Sequence, residues 1–319
     1  MSAGPDRVVT ELPVPEGWDF GDFPYGLEPL TLPEPPHRPV ADVPDVLRAG
    51  PASGPATAPP ACPRTGPAPG LPELAHQLFW FRWITGHQVT FAVWQLLGHA
   101  LHQAHARPDP APSLTAMADL TRAYTAMLLY TSSCPKDVYG DVIRPSMFLQ
   151  HRGFSGTWAP DFAPVRQVLR GRKLPWQDTP EGTLLADEVR LYHLVHSGVA
   201  AKLVPSGRSL LQENAHTARP NHPRLQALVY DNYFLTLRAD VPTAEVVGQL
   251  RRRLAAVRVD VSVNGLYPGL TPQEDAALPE ELRSESARAC ERDFTAVLER
   301  ADGLAAALDR RLLGGTIAR

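Results

Sequence analysis

The chain has 319 residues, with 31 Lys and Arg against 34 Asp and Glu for a formal net charge of −3, and a pI near 6.4. That length can bury one large core, and the evenly mixed charges exclude the basic footprint of a nucleic-acid partner or a membrane surface. Three cysteines, Cys62, Cys134 and Cys290, are odd in number and widely separated, which excludes a disulfide framework and a Cys-rich zinc or iron–sulfur site. No basic leader with an apolar run and no stretch near the ~18 apolar residues of a membrane span is present, so a cytoplasmic protein is expected.

Half of the 34 prolines fall within residues 1–70, and 51–70 (PASGPATAPPACPRTGPAPG) is nearly low in complexity. This predicts an extended or disordered N-terminal extension over 1–70, followed by a catalytic domain over 71–319. Within the extension, Trp18, Phe20, Phe23, Tyr25 and Leu27 form an aromatic cluster that a tether does not need. Residues 13–35 are therefore expected to lie against the body or a second subunit.

From Leu71 to about His105, Trp80, Ile84, His87, Phe91, Trp94 and Gly98 recur at spacings of three and four, the signature of a buried helical stripe. A second helix is predicted from Ser113 to about Tyr130. Residues 134–164, punctuated by Pro135, Gly140, Pro145, Gly153, Gly156, Pro160 and Pro164, read as a long functional loop. A third helix is predicted over 180–204, with Leu185, Val189, Tyr192, His193, His196 and Val199 inward. Segment 225–238 fits helix or strand, 256–268 alternates like a short strand or connector, and 279–313 reads as a final helix or helix pair. The expected fold class is all-α.

His87 lies in an aromatic stripe where an imidazole needs a partner, either as a core histidine bonded to a carbonyl or as a functional group. His193 and His196 share a helical face at i, i+3 and fit a metal ligand with a supporting neighbour, a two-ligand site, or a packed pair. Asp187 and Glu188 are the nearby carboxylates, and neither completes a facial triad. GxGxxG, GxxxxGK[ST], GxSxG and CxxCH are all missing.

The stretch HQLFWFRWITGHQVTFAVWQLL (76–97) resembles the distal-histidine helix of tryptophan 2,3-dioxygenases through Thr85, His87, Gln88 and Trp94, with Gly86 inserted. LYHLVHSGVAAKLV (191–204) is similar to the proximal-histidine helix, and RPSMFLQHRGFSG (144–156) to the Arg and Gly-Phe substrate turn between them. The Gly/Ser-rich closing loop of that family is replaced by QENAHTARPNHPR. In GFSGxWAPD, PNHPRLQALVYDNYF and overall length, the chain looks more like bacterial heme-dependent aromatic hydroxylases, especially the L-tyrosine 3-hydroxylases of antibiotic pathways, over most of 74–270. A methyltyrosine-hydroxylating relative fixes heme through a Cys four residues after the proximal His, where this chain has Ala200. The resemblance therefore implies noncovalent heme b.

It further implies a tryptophan 2,3-dioxygenase-like helical heme domain in which His196 binds the iron. His193, Trp80 and Phe91 would lie about the cofactor. His87 would act on the distal face as general acid–base, and Arg144, Arg152, Phe154, Ser155 and Trp158 would contact substrate. The implied reaction is L-tyrosine plus hydrogen peroxide giving 3,4-dihydroxyphenylalanine, peroxide being self-sufficient where no nicotinamide domain is seen. A homo-oligomer, a dimer first, is expected. An indole-opening dioxygenase and a non-catalytic heme sensor or carrier are the alternatives.

Overall fold

The computed structural model describes residues 20, 25–34, 71–204, 207–214 and 222–315, with side chains at the two ends of the long segments (71–75 and 309–315) left aside. The strongest periodicity forms α1 (Leu71–Ala106), and residues 107–110 turn the chain back into α2 (Ala111–Thr131). Their close approach explains Gly86. A Cβ there would lie 2.4 Å from Thr131 Cγ2, so any side chain would push the two helices apart.

The stretch 134–164 is more structured than its prolines and glycines suggest. It contains α3 (Lys136–Val138), a π-helical turn (Tyr139–Ile143), α4 (Arg144–Gln150) and a 3-10 turn (Gly156–Trp158), before α5 (Phe162–Leu169). Pro145 sits at the junction of the π-helical turn and α4, and the wider turn accommodates a residue that lacks an N–H. α6 (Pro180–Leu203) starts at Thr179, whose hydroxyl accepts from Gly182 N at 3.1 Å, and packs on α2 opposite α1.

After α7 (Leu210–Glu213), segment 225–238 resolves into both of its readings: α8 (Pro223–Tyr233), then strand β2 (Thr236–Arg238). The strand expected over 256–268 is not observed. Residues up to 264 belong to α9 (Thr243–Asn264), whose buried Val246, Val247, Leu250, Leu254 and Val257 follow helical spacing from further upstream than the alternating tail. α10 (Pro272–Ala276), α11 (Glu280–Arg283), α12 (Glu285–Arg292) and α13 (Phe294–Gly315) complete an all-α body with α2 at its centre. Among the described residues no helix is long and apolar enough to cross a membrane.

Part of the N-terminal extension belongs to this body. β1 (Leu30–Leu32) pairs in parallel with β2, Leu30 opposite Thr236 and Leu32 opposite Arg238, with Leu30 and Leu32 buried. Phe20 and Tyr25 meet Phe81 edge-on at 6.2 and 5.4 Å. Trp18, Phe23 and the low-complexity stretch 51–70 lie outside the described residues.

One buried ion pair sets the position of α1. Arg82 bonds Asp260 of α9 through Nε (2.8 Å) and Nη2 (3.2 Å), and its remaining hydrogens go to Ser133 Oγ, Leu266 O and Gly265 O at 3.0, 2.7 and 2.8 Å. Asp260 also accepts from Tyr130 Oη (2.6 Å) and Asn264 Nδ2 (2.9 Å). All five guanidinium hydrogens are used, and neither charge is exposed. Removing one partner strands the other, so Asp260→Leu or Arg82→Met should each cost ~3 to 5 kcal/mol in denaturant unfolding. The double variant should recover much of that loss; additive losses would show that the ion pair itself is not the source of the cost.

Candidate active site

The face of α1 opposite Arg82 carries Trp83, His87, Phe91 and Trp94. His87 Nδ1 lies 2.6 Å from Trp83 O. A carbonyl only accepts, so Nδ1 carries the proton and Nε2 keeps its lone pair free. Phe234 stacks on the ring at 4.4 Å and 20°, while Trp83 and Phe91 stand at 4.3 and 6.3 Å. Burial among these rings pulls the His87 pKa down to about 4, against the smaller opposing effect of the Trp83 carbonyl. His87 is thus a neutral imidazole at physiological pH. It is both a core histidine bonded to a carbonyl and a free base at its other nitrogen.

α8 supplies the rest of the wall. Tyr230 stacks on Phe154 at 5.3 Å and meets Phe91 at 5.6 Å; Tyr233 lies 4.9 Å from Phe154 and 6.0 Å from Trp80. Trp158 contacts Phe154 at 5.7 Å. Trp83 Nε1 donates to Tyr233 Oη at 3.2 Å, and Tyr233 Oη lies 2.8 Å from Ser146 Oγ. Ser146 gives its own hydrogen to Ile143 O at 2.7 Å, so Tyr233 is the donor between the two hydroxyls. Burial raises the Tyr233 phenol to about 12, which keeps it protonated.

The loop carrying Phe154 and Trp158 is held by Arg238 of β2. Its Nη1 and Nη2 form a fork on Asp161 at 2.8 and 2.7 Å, and its Nε and Nη2 bond Asp231 of α8 at 3.0 and 2.7 Å. Gln95 of α1 adds a bond to Asp161 at 2.6 Å. One guanidinium therefore joins the loop to α8, and Gln95 ties the loop to α1.

The residues expected to contact substrate divide. Phe154 and Trp158 are buried in the aromatic cluster with Phe91 of the expected cofactor set, and Trp80 of that set is half-buried against it. Arg144, placed at the end of the π-helical turn, binds Glu213 at 2.7 Å and Arg208 O at 3.2 Å and bonds Tyr139, which meets Trp83 at 6.1 Å. Arg152 is exposed, its guanidinium 5.9 Å from the Phe148 ring. Ser155 caps the 3-10 turn, accepting from Thr157 N at 3.3 Å, so its hydroxyl serves the local backbone.

His193 Nε2 lies 2.7 Å from Leu169 O and must donate to it, and its ring borders a pocket of about 180 Å³ with Val189, Trp176 and Arg172 rather than the His87 cluster. His193 and His196, expected to point inward, are both exposed on α6, and among the described residues neither ring nitrogen of His196 is bonded to protein. Enough of the ring is enclosed that burial, aided by His193, lowers its pKa and favours a free lone pair. Asp187 and Glu188 are committed to Arg190 and Arg122, and no group of three metal-ligating side chains is found among the described residues. A ligand set built only from protein side chains therefore does not form here.

Rings connect His87 to His196: Phe91–Trp94 at 5.8 Å, Trp94–Tyr124 at 5.2 Å, Tyr124–Tyr192 at 5.0 Å and Tyr192–His196 at 5.9 Å. Among the described residues Trp94 Nε1 is a buried donor without an acceptor. The Trp94 indole and the unbonded nitrogens of His196 are the groups here that a bound cofactor could meet. Tyr230, Tyr233 and Phe234 were not anticipated as wall residues, although their i, i+3, i+4 spacing in LQALVYDNYF was a readable signal.

Residues 32–186 match the model of a family described as SfmD 3-methyl-L-tyrosine peroxygenase. The match spans just under half of the chain, takes in His87, Arg144 and the 151–161 loop, and ends before His193 and His196. No curated protein matches the chain.

The low pKa of His87 has a consequence for stability. Between pH 6.5 and 4 the unfolded imidazole takes a proton that the folded one does not, so stability falls as pH falls through that window. The full effect is roughly 3 kcal/mol, at up to ~1.4 kcal/mol per pH unit. Unfolding free energies from pH 7 to 4 should therefore decline less in His87→Phe than in the wild type. Parallel declines would place His87 in an environment no drier than water.

Proposed function

We propose that the chain is a heme-dependent peroxygenase that converts L-tyrosine and hydrogen peroxide into 3,4-dihydroxyphenylalanine and water. The observation that carries this reading is a neutral His87, with Nε2 free, walled by aromatic rings that suit a phenol. The match of residues 32–186 to a peroxygenase family supports it. Stoichiometry balances without another electron donor: one ring C–H becomes C–OH, and the second peroxide oxygen leaves as water.

In this reading His196 holds noncovalent heme b, since Ala200 offers no thiol for attachment. The bound heme supplies the Lewis-acidic, redox-active centre at which the O–O bond is cleaved. His193 is a weaker candidate ligand because Nε2 is spent on Leu169 O. His87 Nε2 takes a proton from peroxide and returns it to the departing oxygen, which a group neutral above pH 4 can do and an imidazolium cannot. The rings of Phe91, Phe154, Tyr230 and Phe234 exclude water from the phenol. Arg144 already binds a carboxylate, that of Glu213, and the amino-acid carboxylate would replace it. The matched family's described substrate favours 3-methyl-L-tyrosine as a second phenol to assay beside tyrosine.

Three variants test these roles by heme content, spectral titration with tyrosine and product formation. His196→Ala should lose heme, whereas His193→Ala should retain it. His87→Phe should keep heme and lose ~10² to 10⁴ in rate at saturating tyrosine. Arg144→Ala should weaken tyrosine binding by ~2 to 5 kcal/mol where bound tyrosine desolvates the pair and by under ~1 where the pair stays exposed, and Arg152→Ala by under ~1. Heme retained in His196→Ala but lost in His193→Ala would overturn the ligand assignment, and an undiminished rate in His87→Phe would return that residue to the core.

A further inference from the structure

Gln88 follows His87, is fully buried, and takes no part in the steps above. Its amide nitrogen donates to Phe234 O and to Glu28 O, each at 3.0 Å, and its Oε1 accepts from Arg253 Nε at 3.0 Å. Every polar hydrogen of the amide is used. Turning the amide over would set its oxygen against two carbonyls and its nitrogen against a guanidinium, so one orientation is fixed.

Arg253 is itself unusual. It is fully buried and, among the described residues, bonds no carboxylate; its other partners are the carbonyls of Gln249 (3.2 Å), Glu28 (3.1 Å) and Pro29 (3.0 Å). Desolvation lowers its pKa to about 10, which leaves it charged at neutral pH. A buried cation satisfied by carbonyls holds those carbonyls in place, because each lost bond would leave charge unsolvated. Glu28 and Pro29 lead directly into β1, where Thr31 is bonded through both backbone groups to the Gln249 side chain (2.8 and 2.9 Å). The far end of the network is Phe234, whose ring stacks on His87 and whose chain continues through Leu235, at φ 51°, into β2.

We infer that Gln88 is a positioning residue that couples the docked N-terminal segment around Glu28 to the Phe234 ring, and so fixes the plane and enclosure of the His87 imidazole. The inference rests on the reading of His87 given above. Trp83 and Phe234 are the closest rings to His87, Phe234 is the one stacked face to face on it, and no charged side chain is among the causes of its shift. Without the Gln88 bond, the Phe234 carbonyl loses its anchor to α1. The ring then leaves van der Waals register with the imidazole, and water reaches it.

The test reads His87 directly, by the pH dependence of hydrogen exchange at the imidazole C2 position, followed by mass spectrometry on the full-length protein without tyrosine or peroxide. Gln88→Met keeps the side-chain volume and removes both amide functions, and Gln88→Asn draws the amide back by one methylene. Both should raise the His87 titration midpoint from about 4 toward the ordinary histidine value, by roughly one unit or more, and speed exchange. Tyr267→Phe, which deletes a hydrogen bond to Glu291 outside this network, should lower stability without moving His87. Destabilised Gln88 variants whose His87 titrates as in the wild type would make Gln88 a packing residue and overturn the inference, as would variants unchanged in both respects. Absence of tyrosine hydroxylation in the wild type would remove the proposed function while leaving this readout intact.

Discussion

Every distance around His87 depends on where α1 sits along its neighbours, and the Arg82–Asp260 pair decides that. A hydrophobic stripe alone lets a long helix slide or rotate by a residue at modest cost, since one apolar side chain replaces another. A guanidinium with five hydrogens and five acceptors in a dry interior permits no such slip, because displacement strands charges and carbonyls together. Arg82 faces α9 while Trp83 and His87, one and five residues on, face the aromatic cluster. The helix thus carries a polar lock on one side and a site on the other.

The same division recurs around the site. Arg253 with Gln88 and Arg238 with Asp161 and Asp231 are buried polar knots behind a surface of rings. The knots join segments remote in sequence: Glu28 with Phe234, and the 151–161 loop with α8 and α1. The site itself stays largely apolar, with His87 and the Tyr233–Ser146–Ile143 chain as its fixed polar elements. Such a pocket keeps a histidine neutral, and neutrality is what lets it receive a proton.

The periodic helices α1, α2 and α6 were readable because each buries a stripe over many turns; of the two histidines only His87 packs among aromatic rings, while His196, expected inward, is exposed. The short elements between Lys136 and Trp158 were not, because prolines and glycines that signal a loop are equally at home in first turns and caps, as Pro145 and Ser155 show. The alternation at 256–264 misled for a different reason. Val257, Val259 and Val261 suggest a strand, yet long-range bonds of Arg253 and Asp260 hold that stretch as helix. The commitment of Arg144 to Glu213, and of His193 to Leu169, depends on contacts across 69 and 24 residues, and no local pattern encodes them.

The proposed function requires one event above all, transfer of an oxygen atom from peroxide to a phenol ring. Isotope labelling tests that most directly. Heme-loaded protein would be supplied with tyrosine and ¹⁸O-labelled hydrogen peroxide under unlabelled air, and the catechol product weighed by mass spectrometry. The account predicts one ¹⁸O atom in each newly hydroxylated product and none when the label is placed in dioxygen or water. Label arriving from dioxygen, or loss of tyrosine without a hydroxylated ring, would contradict it.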